Sequence, residues 1–180
     1  MNLIEQSKQW HNEAEDLIAN SKLLEILKSF GEVYFTGSYK YDLMLGPDID
    51  FLLVCQDPET AAQNLINKLI KQRYWNGYKF YDWEHFDMPK HPDYPKAYYV
   101  GTKVTYNEHR WKTDIWIVNK FPSNIDNSWI EEKAKGDKKL KILEFKKERD
   151  DNNSSVSSYD IYDAVINKNI KSFEDLKKQY

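Results

Sequence analysis

The sequence has few of the features that staple small secreted folds or anchor a chain in a membrane. Its single cysteine, Cys55, excludes an internal disulfide framework and a zinc site built from several cysteines. No run of about 18 apolar residues is present, so we expect no membrane-spanning helix and no membrane partner. The polar, amphipathic N-terminal segment is unlike a signal peptide. Together these features predict a cytoplasmic protein.

The sequence also lacks an excess of positive charge. Its 26 lysines and arginines stand against 29 aspartates and glutamates, a net charge of −3, which makes nucleic acid an unexpected partner. Aromatic residues make up 15% of the chain and hydrophobic residues 41%, enough to build a core and to exclude general disorder. The length of 180 residues fits one domain of ordinary size, and we expect residues 1–180 to form it.

Apolar spacing and turn residues predict the order of helices and strands. The predicted helices are residues 2–30 in two pieces with Ser21 as the second cap, 39–45, 57–74, 123–149 with an interruption at Gly136, 158–167 and 172–178. The predicted strands are residues 33–35, 49–54, 78–84, 97–106 and 110–118. Loops are predicted at 86–96, where three prolines fall, and at 150–155. This order predicts the α/β (α+β) class, a mixed β-sheet flanked by helices.

Asp48 and Asp50 begin an otherwise apolar predicted strand. Because side chains alternate along a strand, both carboxylates point to the same face, a few ångströms apart. Two carboxylates held that close repel each other unless a cation lies between them. Their hard oxygen ligands favour magnesium or manganese. The pair therefore predicts a divalent-metal site.

Gly37-Ser38 lies at a predicted strand-to-helix junction, where free N–H groups favour an anion and glycine lets a phosphate approach the backbone. A phosphate cradle beside metal-binding carboxylates predicts a nucleoside triphosphate site and phosphoryl or nucleotidyl transfer. Asp114, an isolated acid in a later apolar strand, is the candidate third carboxylate. The alternative interpretation is an edge-strand acid that faces water.

These motifs resemble the signature of the polymerase-β-like nucleotidyltransferase superfamily. Thr36-Gly37-Ser38 is followed after nine residues by Asp48-Ile49-Asp50-Phe51, and then by the isolated Asp114, a likeness that covers about residues 30–120. Together with the run Ser157 to Tyr162, the chain is also similar to small nucleotidyltransferase-domain proteins of bacteria and archaea. The resemblance implies the nucleotidyltransferase fold, with a catalytic core at about 30–120 and a helical C-terminal segment at about 123–180.

By the same resemblance, Asp48 and Asp50 bind both metals, Asp114 completes the site and helps to deprotonate the acceptor hydroxyl, and Gly37 and Ser38 hold the triphosphate. Many minimal members carry an arginine shortly after the Gly-Ser pair, and here Lys40 stands in that stretch. Lys40 is therefore the predicted additional phosphate contact, with an exposed helix lysine as the alternative. Neighbouring Asp42 is expected to point to solvent.

The resemblance implies a magnesium-dependent (or manganese-dependent) nucleotidyltransferase. Such an enzyme moves a nucleoside monophosphate from a triphosphate such as ATP to a hydroxyl acceptor on a small molecule or a protein. The alternative is a nucleotide- or partner-binding module of the same fold with little turnover. The presence of all three carboxylates favours the enzyme, and the acceptor and the preferred base stay open.

Two further patterns have open interpretations. The lysine-rich stretch 133–147 is interspersed with acids and is expected to be a solvated helix face. A group of aromatic and basic residues can either stack a base or sugar or simply cover the sheet: Tyr94, Lys96, Tyr98, Tyr99 and Lys103.

Overall fold

The structure is a computed structural model that describes residues 2–88, 96–122 and 127–180. Over these residues the helices are α1 (Leu3–Ser21), α2 (Leu23–Lys28), α3 (Gly37–Lys40), α4 (Pro58–Gln72), α5 (Ser128–Lys133), α6 (Asp137–Asp151), α7 (Ser158–Ile166) and α8 (Phe173–Gln179). The strands are β1 (Glu32–Thr36), β2 (Asp48–Val54), β3 (Gly77–Asp82), β4 (Tyr98–Tyr106) and β5 (His109–Val118).

The strands form one five-stranded sheet in the order β1-β2-β5-β4-β3. Strands β2 and β5 are parallel, and the other neighbouring pairs are antiparallel. The predicted class, a mixed sheet with flanking helices, is confirmed. The parallel pair places Asp48 opposite Lys112 and Asp50 opposite Asp114.

One face of the sheet packs against α1, α2 and α4. In β2, Ile49, Phe51 and Leu53 are fully buried on this side, while Asp48 and Asp50 alternate with them and point to the other side. Burial of each such apolar side chain stabilises the fold by roughly 1.5–3 kcal/mol. The main contributors from the neighbouring elements are Leu17, Leu27, Leu65, Trp111 and Ile115. The core therefore determines which face presents the acids.

The C-terminal helices α5 to α8 enclose a second apolar cluster. Ile142, Phe145 and Ile161 are fully buried in it, together with Leu43 from the segment between α3 and β2. Helix α6 also contacts α1. Leu43 therefore ties the C-terminal helices to the backbone that leads into β2. No helix in the described part of the chain combines the length and the apolar character needed to cross a bilayer.

Local signals locate several helix ends. The Asp57 side chain, just before Pro58, accepts a hydrogen bond from the Thr60 N–H at the start of α4. Ser157 and Asp160 form a capping box at α7. Ser172 accepts from the Asp175 N–H at α8.

Several predicted boundaries differ from the structure. Helix α3 is a single turn that starts at Gly37 and ends at Lys40, not residues 39–45, because Asp42 adopts a left-handed φ of 55° that ends the helix. The cap residue of α2 is Lys22, not Ser21, although the Ser21 hydroxyl does accept from the Leu23 N–H. Helix α6 continues to Asp151, so the loop predicted at 150–155 begins later. Most of the predicted loop at 86–96 lies outside the described residues.

Close packing at Gly31 generates a stability prediction. A Cβ there would lie 2.2 Å from the Val54 carbonyl oxygen, and that oxygen belongs to the backbone of a central strand. Gly31→Ala should lower the free energy of unfolding by about 1–3 kcal/mol, because neither backbone can move without disturbing the sheet. Equilibrium urea denaturation measures the change.

Gly46→Ala is the matched control, since nothing lies within 4 Å of its added Cβ. Its free energy of unfolding should change by less than about 1 kcal/mol. Equal effects at both positions would contradict the packing argument.

Candidate functional site

Adjacent strands bring the three predicted acids together. Asp48 and Asp50 share one face of β2, and Asp114 lies opposite Asp50 on β5. One carboxylate oxygen from each of the three lies within 4.8 Å of the others. The predicted proximity of these carboxylates is confirmed. The alternative of Asp114 as an edge-strand acid is wrong, because β5 lies between β2 and β4 in the sheet.

Burial and mutual repulsion disfavour full ionisation of this cluster. Burial, and then the charges of Asp48 and Asp114, raise the pKa of Asp50 to about 7. Burial also raises the pKa of Asp48, although Lys112 opposes the shift. Without a bound metal ion, Asp50 therefore keeps its proton up to about neutral pH.

Among the described residues, none gives a hydrogen-bond partner to the buried carboxylate oxygen Oδ1 of Asp48. Such an atom is costly unless something binds it. Three convergent carboxylates with an unpartnered oxygen suit a hard divalent cation such as magnesium or manganese. The residues present therefore fit the predicted metal.

Lys112 is a member of the site that sequence reasoning missed. Its Nζ lies 2.7 Å from Asp48 Oδ2 and 3.2 Å from Asp114 Oδ2. Burial alone would lower the pKa of Lys112, but the charges and hydrogen bonds of the two carboxylates outweigh it and raise that pKa. The alternation rule that paired Asp48 with Asp50 also places Lys112 beside Asp114, so a signal was present in the sequence.

Tyr99 holds the other oxygen of Asp114. Its hydroxyl donates to Asp114 Oδ1 at 2.5 Å, and burial followed by this hydrogen bond raises the pKa of Tyr99. Gly101 makes room for it, because a Cβ on that residue would lie 2.5 Å from the Tyr99 hydroxyl. Tyr98 lies in the core on the opposite face, and Lys96 pairs with Asp87, so these residues do not form one stacking surface. Tyr94 lies outside the described residues.

Two constraints favour glycine at position 37: the backbone conformation and the space taken by the Asp50 carboxylate. It has a left-handed φ of 60°, and a Cβ on it would lie 1.9 Å from Asp50 Oδ2. Any side chain here would displace the Asp50 carboxylate. Ser38 lines the neighbouring cleft, where the sequence predicted the triphosphate.

Two clefts flank the carboxylates. The first, of about 270 Å³, is bordered by Ser38 and Asp48, and the second, of about 230 Å³, by Tyr99, Gly101 and Asp114. We call them the Ser38 cleft and the Asp114 cleft, and both are bordered by Lys103 and Lys112. The basic residues that line the Ser38 cleft are Lys103, Arg110, Lys112, Lys146 and Arg149. Asp48 and Asp150 also line it, and Asp150 pairs with Arg149. The five cations still outnumber the two acids, and this excess suits a polyanion despite the acidic net charge.

Helix α6 contributes two of these cations, Lys146 and Arg149. Neither was predicted as a site residue. Lys146 is buried and donates to the Leu43 carbonyl at 2.6 Å, and burial followed by nearby Arg149 lowers its pKa to about 8. Arg149 donates to the Ser158 hydroxyl at 2.9 Å. The expected solvated face over 133–147 is therefore wrong at Lys146, because the C-terminal helices fold over that position.

The structure does not bring Lys40 to the other predicted site residues. Its exposed side chain lies 4.0 Å from Glu131 and 5.4 Å from the Tyr41 ring centre, and it does not line either cleft. Its role as a phosphate contact stays a prediction. Asp42 is half-exposed, as expected in part, and pairs with Lys139.

Comparison with known proteins gives no match, whether to a family model, to a curated protein or to a solved structure. The likeness to the polymerase-β-like superfamily therefore stays a prediction from the sequence motifs.

The raised pKa of Asp50 predicts a pH-dependent cost in the metal-free protein. Between about pH 4 and pH 7 the unfolded chain releases this proton while the folded chain keeps it, so the contribution of Asp50 to stability falls as pH rises. Asp50→Asn removes this cost. The metal-free variant should be more stable than wild type by about 1–3 kcal/mol at pH 8 and equal to it below about pH 4. Thermal and urea unfolding in EDTA measure this.

Asp16→Asn, at an exposed position on α1, removes the same charge away from the cluster and should lack the effect. A loss of several kcal/mol in Asp50→Asn at pH 8 would instead identify the acid as structural.

Proposed function

We propose that the protein is a magnesium-dependent or manganese-dependent nucleotidyltransferase. It moves a nucleoside monophosphate from a nucleoside triphosphate to a hydroxyl group on a small molecule or a protein. The observation that carries the proposal is the convergence of Asp48, Asp50 and Asp114, whose oxygens lie within 4.8 Å of one another beside a basic cleft.

Asp48, Asp50 and Asp114 would hold the divalent cation. When bound, the metal neutralises charge on the phosphate oxygens and on the leaving group. Asp48 Oδ1, buried without a partner, is the oxygen with the most to gain from coordination. Gly37 keeps the backbone clear of Asp50, so that this carboxylate retains its place in the cluster.

The Ser38 cleft would receive the triphosphate. Its lining cations include Lys146 and Arg149, both on helix α6. Ammonium and guanidinium groups form charge-assisted hydrogen bonds with phosphate oxygens, and a guanidinium can bind two oxygens at once. The cleft therefore neutralises the β- and γ-phosphates while the α-phosphate lies at the carboxylates.

The acceptor would approach from the Asp114 cleft. Its hydroxyl oxygen attacks the α-phosphorus, the bond from that phosphorus to the pyrophosphate oxygen breaks, and pyrophosphate leaves. The hydroxyl proton passes to the Asp114 carboxylate. Tyr99, through its 2.5 Å hydrogen bond to Oδ1, orients that carboxylate and leaves Oδ2 for the other contacts.

The ion pairs of Lys112 support a second candidate function. Because its ammonium already contacts Asp48 and Asp114, the fold offsets part of the charge of these two acids without a metal. This arrangement suits a nucleotide- or partner-binding module with little turnover. We place either activity in the cytoplasm, where a lone free cysteine such as Cys55 stays reduced.

Pyrophosphate release separates the two functions. The full chain is incubated with each of the four ribonucleoside triphosphates, magnesium or manganese, and pools of hydroxyl acceptors, with mass spectrometry to identify the adduct. Release coupled to adduct formation supports the transferase. Nucleotide binding without release in any pool supports the binding module.

Asp114 generates the sharpest activity prediction. Asp114→Asn should lower kcat by at least about 100-fold, because the acceptor hydroxyl loses its proton acceptor. Triphosphate affinity should change by less than about threefold, because the cations of the Ser38 cleft are intact. Steady-state pyrophosphate release and calorimetric nucleotide binding measure the two effects.

Asp87→Asn, which alters an exposed acid paired with Lys96, is the control and should match wild type in both measurements. Full turnover in Asp114→Asn would defeat the assigned role.

A further inference from the structure

Lys112 occupies the position from which a cation neutralises the carboxylate cluster. We propose that Lys112 is a tethered counter-ion, which a divalent metal must displace from Asp48 and Asp114 before it can bind. Once displaced, the ammonium binds the phosphate groups of the substrate, so metal loading and anion binding are coupled. The inference rests on the proposed function and adds a form of regulation to the same site.

Lys112 and a metal would compete for the same carboxylates. The Nζ atom lies 2.7 Å from Asp48 Oδ2 and 3.2 Å from Asp114 Oδ2, and both carboxylates belong to the candidate metal cluster. A dication bound to these carboxylates would lie within a few ångströms of the ammonium and repel it strongly. Metal binding and the present position of Lys112 therefore exclude each other.

The Lys112 side chain is free to move away from the acids. Lys112 is 45% exposed, so its flexible four-carbon stem is not enclosed by the core. Its side chain borders the Ser38 cleft and the Asp114 cleft alike. Rotation of that stem would carry the ammonium away from the acids and into the Ser38 cleft, where Lys103 and Arg110 would help to hold a polyphosphate.

Lys103 provides a matched control within the same cleft. It is the cross-strand neighbour of Lys112, lies on the same face of the sheet and borders the same two clefts. Among the described residues it makes no ion pair with an acid, whereas Lys112 makes two. Lys103→Met therefore removes the same charge from the cleft without releasing a carboxylate.

The test titrates the full-length chain with Mn²⁺ alone, by calorimetry, at fixed pH and ionic strength. Lys112→Met should bind Mn²⁺ about tenfold more tightly than wild type, because no ammonium has to be displaced. Lys103→Met should stay within about threefold of wild type. For the manganese complex of inorganic tripolyphosphate, Lys112→Met should instead bind about fivefold more weakly, since one phosphate ligand is lost.

The outcomes distinguish this inference from the proposed function. Equal or weaker Mn²⁺ binding in Lys112→Met overturns the displacement model and leaves the metal assignment standing. Equal gains in Lys112→Met and Lys103→Met also overturn it, because the effect would then be general electrostatics. Absence of Mn²⁺ binding in every variant removes the metal centre itself, and the inference with it.

A measurement on the wild-type chain covers the case in which Lys112→Met does not fold. The ammonium of an ion-paired lysine gives a ¹H–¹⁵N signal, which Lys112→Arg identifies by its loss. Titration with Mg²⁺ should shift or broaden that signal in step with metal saturation. A Lys112 signal that stays unchanged at saturation overturns the proposal.

Discussion

Three carboxylates on one sheet face repel one another, and the surrounding residues of the site offset part of that repulsion. The register of β2 and β5 places Asp50 directly opposite Asp114, and burial on this face makes the unneutralised charge expensive. Lys112 and Tyr99 each satisfy part of it, by an ammonium and by a hydroxyl. Within the described part of the chain, one buried oxygen of the cluster, Asp48 Oδ1, has no hydrogen-bond partner.

The core determines this site indirectly. Ile49 and Phe51 alternate with Asp48 and Asp50 along β2 and are fully buried against the helices on the opposite face. A slip of one residue would expose the apolar set and bury the acids in the core. The packing energy of the core therefore enforces a register that brings like charges together. The free energy of core packing offsets the repulsion among the three carboxylates.

The C-terminal helices add positive charge next to the acidic cluster. Leu43 anchors them to the segment before β2, and Lys146 donates to the carbonyl of that same residue. Arg149 and Lys146 then border the Ser38 cleft, so a protein with a net charge of −3 presents a basic cleft next to its acids. The overall charge says little about such a local field, since each cleft depends on the few groups that line it.

Short-range rules were enough for the sequence to determine the fold class, most element positions and the proximity of Asp48 and Asp50. Strand alternation and helix caps depend only on near neighbours. Strand alternation also places Lys112 on the same face as Asp114, so its proximity to the acids could be predicted from the sequence. The left-handed turn at Asp42 and the roles of Lys146 and Arg149 depended on contacts between residues far apart in the chain, such as Lys146 with Leu43. Only the tertiary structure decides them, because no periodicity in a sequence records which distant helix covers a given lysine.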